Sequence, residues 1–159
     1  MKKVLILFTL IFTVILTACG EEQWKVSDYS PADKAAELQA TEALADTIVY
    51  TAKGNPIDDY FDYYIGDAAL LEGIEDYVYF TSAATSVAEA GVFKVKDKAT
   101  ADALLAAFDT RAENLAMTYE NYSPEDTERA NNMKKGSFDD VVWFVASSDN
   151  DSVISVITK

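Results

Sequence analysis

The side chains best equipped for chemistry in this chain are carboxylates and aromatic rings. The 159 residues include 27 Asp and Glu, nine Tyr, eight Phe and two Trp, with one cysteine and no histidine. Without histidine, Ser-His-Asp and Cys-His nucleophilic sites and the usual zinc sites are excluded. Carboxylates remain available for proton transfer or for hard cations. The residues show no recognisable catalytic constellation, so we assign no catalytic residue, no metal site and no cofactor.

Two acidic stretches have the oxygen ligands that Ca²⁺ prefers, which are carboxylates and carbonyls in sets of six to eight. The first lies within residues 58–67 and the second within 149–152. The first does not have the spacing of an EF-hand, and a solvated acidic loop explains it better. The second is typical of a tight hairpin turn, because Asx residues tolerate positive φ. The carboxylates of the first stretch are those of Asp58, Asp59, Asp62 and Asp67.

Three residues are candidates for binding a ligand: Tyr79, Glu89 and Trp143. If Tyr79 and Trp143 share an exposed sheet face with Tyr77, their rings could stack on sugars or clasp a peptide. The alternative, which we prefer, is that these rings fill the core. Glu89 begins a predicted strand, and we expect it to orient a ligand or stabilise structure, because no second catalytic group is predicted near it.

The N-terminus has the layout of a secretory signal. Lys2 and Lys3 precede an apolar run, residues 4–16, which is too short to span a bilayer of about 30 Å comfortably. Leu16-Thr17-Ala18-Cys19 resembles the lipobox of bacterial lipoproteins, which implies a diacylglyceryl group on Cys19 and cleavage before it. Two acyl chains would hold the protein stably on a membrane. An ordinary cleaved signal and an uncleaved anchor helix are the alternatives.

Charge restricts the partners of the mature chain. Loss of Lys2 and Lys3 leaves 11 Lys and Arg against 27 Asp and Glu, a net charge of −16. This balance argues against nucleic acid and against electrostatic attachment to anionic lipid, both of which require basic patches. A charged protein or cell-wall partner should be basic. With Cys19 the only cysteine, no intramolecular disulfide can form, so the domain depends on its core.

Hydrophobic periodicity predicts the elements that position these residues. Ser30-Pro31 opens a helix that ends at Gly54-Asn55-Pro56, and a second helix covers 98–119. Ser123 caps a short helix that closes at Lys134-Lys135-Gly136. Strands are predicted at 77–81, 90–96, 140–147 and 152–158, with the third one central because both its faces are apolar.

These elements predict an α+β fold with about four antiparallel strands, built from two hairpins, with helices packed on one face. The domain organisation is a signal peptide at 1–18, the lipidated Cys19 and a tether through residue 29, and a single domain at 30–159.

From about residue 63 onward the chain resembles the lipoprotein family called domain of unknown function 4358. The resemblance rests on Tyr63-Tyr64-Ile65, Glu75-Asp76-Tyr77-Val78, and Glu89 leading into residues 92–97. The helix through Leu104 and Arg111, the join at Tyr122-Ser123-Pro124-Glu125 and the last two strands complete it. One departure is Phe138-Asp139-Asp140, where a glycine followed by an aromatic residue is expected. The resemblance implies a small secreted or surface lipoprotein and no particular activity.

The preferred hypothesis is an extracytoplasmic, membrane-anchored module that binds a protein, peptide or cell-wall glycan without being an enzyme. One alternative is an enzyme that acts on glycans with paired carboxylates. A second is a module stabilised by Ca²⁺.

Overall fold

The structure is a computed structural model that describes residues 24–83 and 85–159. The predicted signal peptide and lipidated Cys19 therefore lie outside the described residues. The described residues contain five strands and five α-helices, with short 3₁₀ turns between residues 32 and 73. The strands are β1 (Thr47–Thr51), β2 (Ile74–Ser82), β3 (Glu89–Val95), β4 (Lys134–Phe138) and β5 (Val141–Ala146). The helices are α1 (Ala35–Gln39), α2 (Phe61–Ile65), α3 (Lys98–Tyr119), α4 (Pro124–Asn131) and α5 (Asn150–Ile157).

The five strands form one antiparallel sheet in the order β1-β2-β3-β5-β4. The α+β fold is thus confirmed, with five strands rather than four. β5 is an interior strand between β3 and β4, and all six of its residues are buried, as its two apolar faces predict. The central strand is β3. Its register places Ala146 opposite Glu89 and Val141 opposite Lys94. Glu89 consequently lies at one end of the sheet, and the turn between β4 and β5 lies at the other.

Helices cover both faces of the sheet, not one as predicted. Alternate residues of each strand point to opposite faces, so Val78 and Phe80 join one core cluster while Tyr77 and Tyr79 join the other. The first cluster packs under α1 and α5, and the second packs under α2 and α3. The sheet therefore carries two hydrophobic layers, and its aromatic side chains are buried on each side.

The predicted first helix is shorter than expected and is followed by a strand. Leu38 and Leu44 are buried as the periodicity requires, but residues 47–51 form β1 and pair with β2, with Thr47 opposite Ser82. This segment reads Thr-Ile-Val-Tyr-Thr, and β-branched and aromatic residues favour an edge strand over a helix.

The predicted last hairpin is also wrong, because 150–157 is helix α5. Val153, Val156 and Ile157 are buried at helical spacing, and their β-branched side chains had suggested a strand. The Asp149 side chain accepts a hydrogen bond from the Ser152 amide at 3.1 Å, so Asp149 is a helix N-cap rather than a turn residue.

The second hairpin is instead β4-β5. Lys134 and Lys135 therefore begin a strand, where the sequence had predicted the end of a helix. Asp139 forms the turn with a φ of 45°, a conformation that Asp tolerates better than most residues. This turn accounts for the residues that depart from the expected family pattern at Phe138-Asp139-Asp140.

The two helices between the hairpins are confirmed. α3 covers Lys98–Tyr119, and the Asp97 side chain caps it by accepting from the Thr100 amide at 2.8 Å. Ser123 caps α4 by accepting from the Asp126 amide at 3.2 Å. Within residues 24–83 and 85–159, no helix combines the length and apolar character needed to cross a membrane.

The segment 24–29, predicted as part of a tether, packs against the domain. The Ser27 hydroxyl donates to the Asp140 carboxylate, and Lys94 Nζ donates to the Ser27 carbonyl at 2.6 Å. The Tyr29 ring meets the Phe138 ring edge-on, with centroids 5.4 Å apart. Residues 24–29 are consequently part of the folded domain rather than of a tether.

The Asp149 cap predicts how α5 responds to substitution. Asp149→Ala should lower the free energy of unfolding by about 1 kcal/mol, because the Ser152 amide loses its acceptor. Asp149→Ser is the matched control and should be nearly neutral, since serine caps helices about as well as aspartate. Urea denaturation measures both. Equal stability of the alanine and serine variants would contradict the cap.

Candidate functional site

A buried ion pair between Glu89 and Arg111 forms the centre of the candidate site. Arg111 Nε donates to Glu89 Oε1 at 2.9 Å, and Arg111 Nη2 donates to Glu89 Oε2 at 2.8 Å. The Tyr79 hydroxyl also donates to Glu89 Oε1. The Glu89 side chain is 4% exposed and the Arg111 side chain 11% exposed. This two-point geometry is among the strongest that carboxylates form in proteins.

The fold brings these groups together from three elements. Glu89 is the first residue of β3, Tyr79 lies on the neighbouring β2, and Arg111 lies midway along α3. Beneath them, Gly91 allows the Phe144 and Phe93 rings to pack against the backbone of β3, because a Cβ at this position would stand 2.6 Å from both rings. The pair therefore connects α3 to the end of the sheet above an aromatic layer.

Two tyrosines of α2 cover the guanidinium. The Arg111 Cζ lies 5.3 Å from the centroid of the Tyr64 ring and 6.0 Å from that of the Tyr63 ring, which is a cation–π arrangement. The two rings meet edge-on, with centroids 5.1 Å apart. Gly66 ends α2 in the left-handed conformation. Tyr63 is 76% exposed, so its ring is available to a ligand.

The electrostatics of the site favour a neutral tyrosine and a charged arginine. Burial, together with the charge of Glu89, raises the pKa of the Tyr79 hydroxyl well above its ordinary value. Burial alone would lower the pKa of Arg111, but the hydrogen bonds and charge of Glu89 outweigh it and raise that pKa. Burial also raises the pKa values of Tyr64 and Tyr119 beside the pair.

A cleft of about 160 Å³ opens beside this pair and is called here the Arg111 cleft. Its wall also includes Val87, Ala88 and Leu115. Its remaining lining residues all carry a hydroxyl group: Tyr63, Tyr64, Thr81, Ser82, Ser86, Thr118 and Tyr119. An adjoining, more open groove of about 400 Å³ shares Tyr63, Arg111 and Thr118 with the cleft and continues along α3 past Asn114 and Met117.

The arrangement is suited to holding a ligand rather than to moving a proton. Glu89 accepts three hydrogen bonds, from Tyr79 and twice from Arg111, out of about four lone-pair positions. The lining hydroxyls can each donate and accept, so the cleft presents versatile hydrogen-bonding groups beside an exposed ring.

Comparison with known proteins identifies part of the chain. Residues 71–147 match the sequence profile of the family described as Domain of unknown function (DUF4358). The resemblance seen in the sequence is thereby confirmed for this segment. Neither the curated proteins nor the solved structures include a match to the chain.

The DUF4358 segment contains β2 to β5, α3 and α4, and with them the Glu89–Arg111 pair. Tyr63 and Tyr64 lie before the matched segment, and α5 lies after it. The cleft thus combines a floor from the DUF4358 segment with an aromatic cover from the residues that precede it.

The structure brings together two of the three residues predicted to bind a ligand. Glu89 lines the cleft, and Tyr79 lies behind it, fully buried, with its hydroxyl on Glu89. Trp143 lies in the core cluster of the opposite sheet face, packed over Gly136, because neighbouring strand residues alternate in direction. The three therefore do not form one aromatic surface, and Tyr77 and Tyr79 are core residues.

Sequence reasoning missed Arg111, Tyr63 and Tyr64 as parts of the site. A signal was present for Arg111, which lies three residues after Phe108 and four before Leu115, in the stripe that faces the sheet. A cation in an apolar stripe requires a buried partner. For the tyrosines no comparable signal exists, because residues 58–67 have no clear period.

The acidic stretches have other roles in the described residues. Asp58 accepts from the Tyr77 hydroxyl at 2.9 Å, and Asp67 accepts from the Ala69 amide at 2.9 Å. In the part of the chain that the structure describes, no group of three or more Asp, Glu, Cys or His side chains could hold a metal ion.

Breaking the buried pair should be far more costly than breaking an exposed one. Arg111→Met should lower the free energy of unfolding by about 3–5 kcal/mol, because it leaves the Glu89 carboxylate buried without its cation. Lys98→Met is the control. It breaks the exposed ion pair with Asp102, so it should lower the free energy of unfolding by less than about 1 kcal/mol. Urea denaturation compares the two, and similar losses would argue against a buried, paired carboxylate.

The buried tyrosines predict alkaline sensitivity. A phenol with a raised pKa keeps its proton in the folded state after the unfolded chain has lost its own, so the folded state binds more protons. Stability should be complete below about pH 10, the unfolded value, and fall progressively as the pH rises above it. Denaturation at several pH values, with phenolate absorbance as a second readout, measures this. Constant stability between pH 9 and 12 would refute it.

Proposed function

We propose that this protein is an extracytoplasmic lipoprotein that binds a ligand in the Arg111 cleft and does not transform it. The observation that carries the proposal is the Glu89–Arg111 pair, in which the two charges neutralise each other and the carboxylate accepts three hydrogen bonds from within the protein. Such a pair forms a rigid, preorganised wall, and preorganisation lowers the entropic cost of binding.

The paired-carboxylate alternative has less support from this cleft. Glycoside hydrolysis of that kind needs two carboxyl groups roughly 5–9.5 Å apart. Glu89 is the one carboxylate that lines the Arg111 cleft among the described residues. Its hydrogen bonds hold it in a fixed orientation, which suits a structural wall better than a proton donor.

The N-terminal sequence supports attachment to a membrane through Cys19. Four residues lie between Cys19 and Trp24, and the five steps from one Cα to the next, at most about 3.6 Å each, span roughly 18 Å. Trp24 packs at the start of α3, where it lines a cavity with Lys98 and Ala101. A lipid on Cys19 would therefore hold this end of the domain close to the membrane.

The Arg111 cleft lies towards the other end of α3. From Ala101, beside Trp24, to Thr118, in the cleft wall, the helix rises about 25 Å at roughly 1.5 Å per residue. An anchor at Cys19 would then place the cleft away from the membrane surface, where envelope material is accessible. The acidic chain, with a formal charge of −14, disfavours anionic partners and leaves neutral or basic ones.

Cys19 should be essential for membrane attachment. In a bacterial host, the full chain should fractionate with membranes, and intact mass should show cleavage before Cys19 with a diacylglyceryl group. Cys19→Ser should release the protein, because the thioether to the lipid cannot form. Thr17→Ala keeps a small residue in the lipobox and should leave attachment unchanged. Equal membrane fractions for wild type and Cys19→Ser would reject the anchor.

A further inference from the structure

We infer that the ligand of the Arg111 cleft is a neutral saccharide, with one sugar ring in the cleft and a second ring on the adjoining groove. This inference rests on the proposed function, since it names the ligand class of the same site. It follows from the charge, hydroxyl content, exposed ring and size of the cleft, together with its position in the sheet.

The charge of the cleft disfavours a ligand that needs a counter-ion. Arg111 and Glu89 are the two charged residues that line it, and they are hydrogen-bonded to each other at 2.8 and 2.9 Å. Tyr63 and Tyr64 cover the guanidinium further. A phosphate or carboxylate ligand would meet the negative charge of Glu89 beside the guanidinium, and that repulsion is a cost. A ligand without charge meets no such cost.

The hydroxyl content favours a polyhydroxyl ligand. Seven of the twelve lining residues carry a hydroxyl group. Thr118 already donates to the Asn114 carbonyl at 2.7 Å, but a hydroxyl engaged in this way can still accept a hydrogen bond. Sugar hydroxyls can both donate and accept. The Ser82 and Ser86 hydroxyls form a hydrogen bond with each other, in which either can be the donor, with their oxygens 3.1 Å apart.

The Tyr63 ring supplies the apolar surface that a sugar also requires. It is 76% exposed at the mouth of the cleft, and its edge-on contact with Tyr64 holds it in place. The C–H face of a sugar ring stacks on such a ring, because aromatic side chains offer large apolar area with little loss of entropy.

Size and continuity favour a short oligosaccharide. The cleft volume of about 160 Å³ equals that of about five waters at roughly 30 Å³ each, which suits a single sugar ring. The groove continues from the shared residues Tyr63, Arg111 and Thr118 along α3 past Met117, which is 64% exposed. A second sugar ring linked to the first would lie over this surface.

An extended peptide fits this position less well. Peptides of that kind gain much of their affinity by pairing with an exposed sheet edge. The strands that line the cleft, β2 and β3, are both interior strands of the five-stranded sheet, with partners on each side. The main-chain groups that would bind a peptide are thus already engaged.

The test is titration of the full, lipidated chain in nanodiscs with a neutral tetrasaccharide of N-acetylglucosamine. A neutral tetrapeptide of alanine serves as the peptide probe. Amide chemical shifts report the position of binding, and the dissociation constant reports its strength. Tyr63→Ala should weaken saccharide binding about tenfold or more, because the stacking ring is lost. Tyr60→Ala is the matched control, since Tyr60 is also exposed on the same segment but does not line the cleft.

The inference stands if the saccharide shifts resonances around Tyr63 and Thr118 and if only Tyr63→Ala weakens it. Binding of the peptide at these residues, without the saccharide, would overturn the inference and leave the proposed function intact. If neither probe nor a panel of other neutral oligosaccharides perturbs the cleft, the saccharide inference fails. If envelope fragments of every charge also leave these resonances unchanged, the proposed function fails with it.

Discussion

Glu89 is nearly enclosed at the start of β3, and an enclosed carboxylate is tolerated only when its charge and its hydrogen-bonding capacity are both met. Arg111, from α3, supplies the opposite charge and two hydrogen bonds, and Tyr79, from β2, supplies a third hydrogen bond. The desolvation cost of such a pair is high, and apolar side chains of equal volume often stabilise a fold at least as much as a buried ion pair does. The pair connects helix and sheet at a defined register, and it supplies the polar wall of the Arg111 cleft.

The rest of the fold keeps that pair in place from both sides. The aromatic layer of Phe93, Phe108 and Phe144 packs beneath it, with ring centroids 4.7 to 5.8 Å apart along the chain of contacts. On the opposite sheet face, α1 and α5 bury a second layer, so the central strands cannot shift without disturbing both. A sheet covered on two faces gives the Arg111 cleft a rigid base, and the side chains that line the cleft are confined to one end of the sheet.

Much of this architecture was predictable where periodicity and capping agree. α3 has both a continuous apolar stripe and an N-cap, and β5 is apolar on both faces, so each was predicted correctly. Two of the failures involve β-branched residues, which fit both helix and strand. Val153, Ile154 and Val156 suggested a strand but follow a helix cap, and β1 was hidden in a segment whose leucines suggested a helix.

The candidate site was only half predictable for a different reason. Glu89 could be selected because a carboxylate at the start of an apolar strand is unusual. Its pairing with Arg111, 22 residues later, depends on how α3 packs on the sheet, and no local pattern encodes that angle. A shared exposed face for Trp143 and Tyr79 was the less favoured expectation, and both rings are buried as preferred. The sequence does not reveal the register that turns Trp143 to the opposite face.

Hydrogen–deuterium exchange of the lipidated protein tests the central claim most directly. It would be measured in native cell envelopes and in nanodiscs that contain lipid alone. If the Arg111 cleft binds envelope material, protection in envelopes should rise at residues 63–64 and 111–119 and stay unchanged around Trp24 and the β4-β5 turn. Protection that rises only around Trp24 and that turn, with the cleft residues unchanged, would contradict a binding role for the cleft.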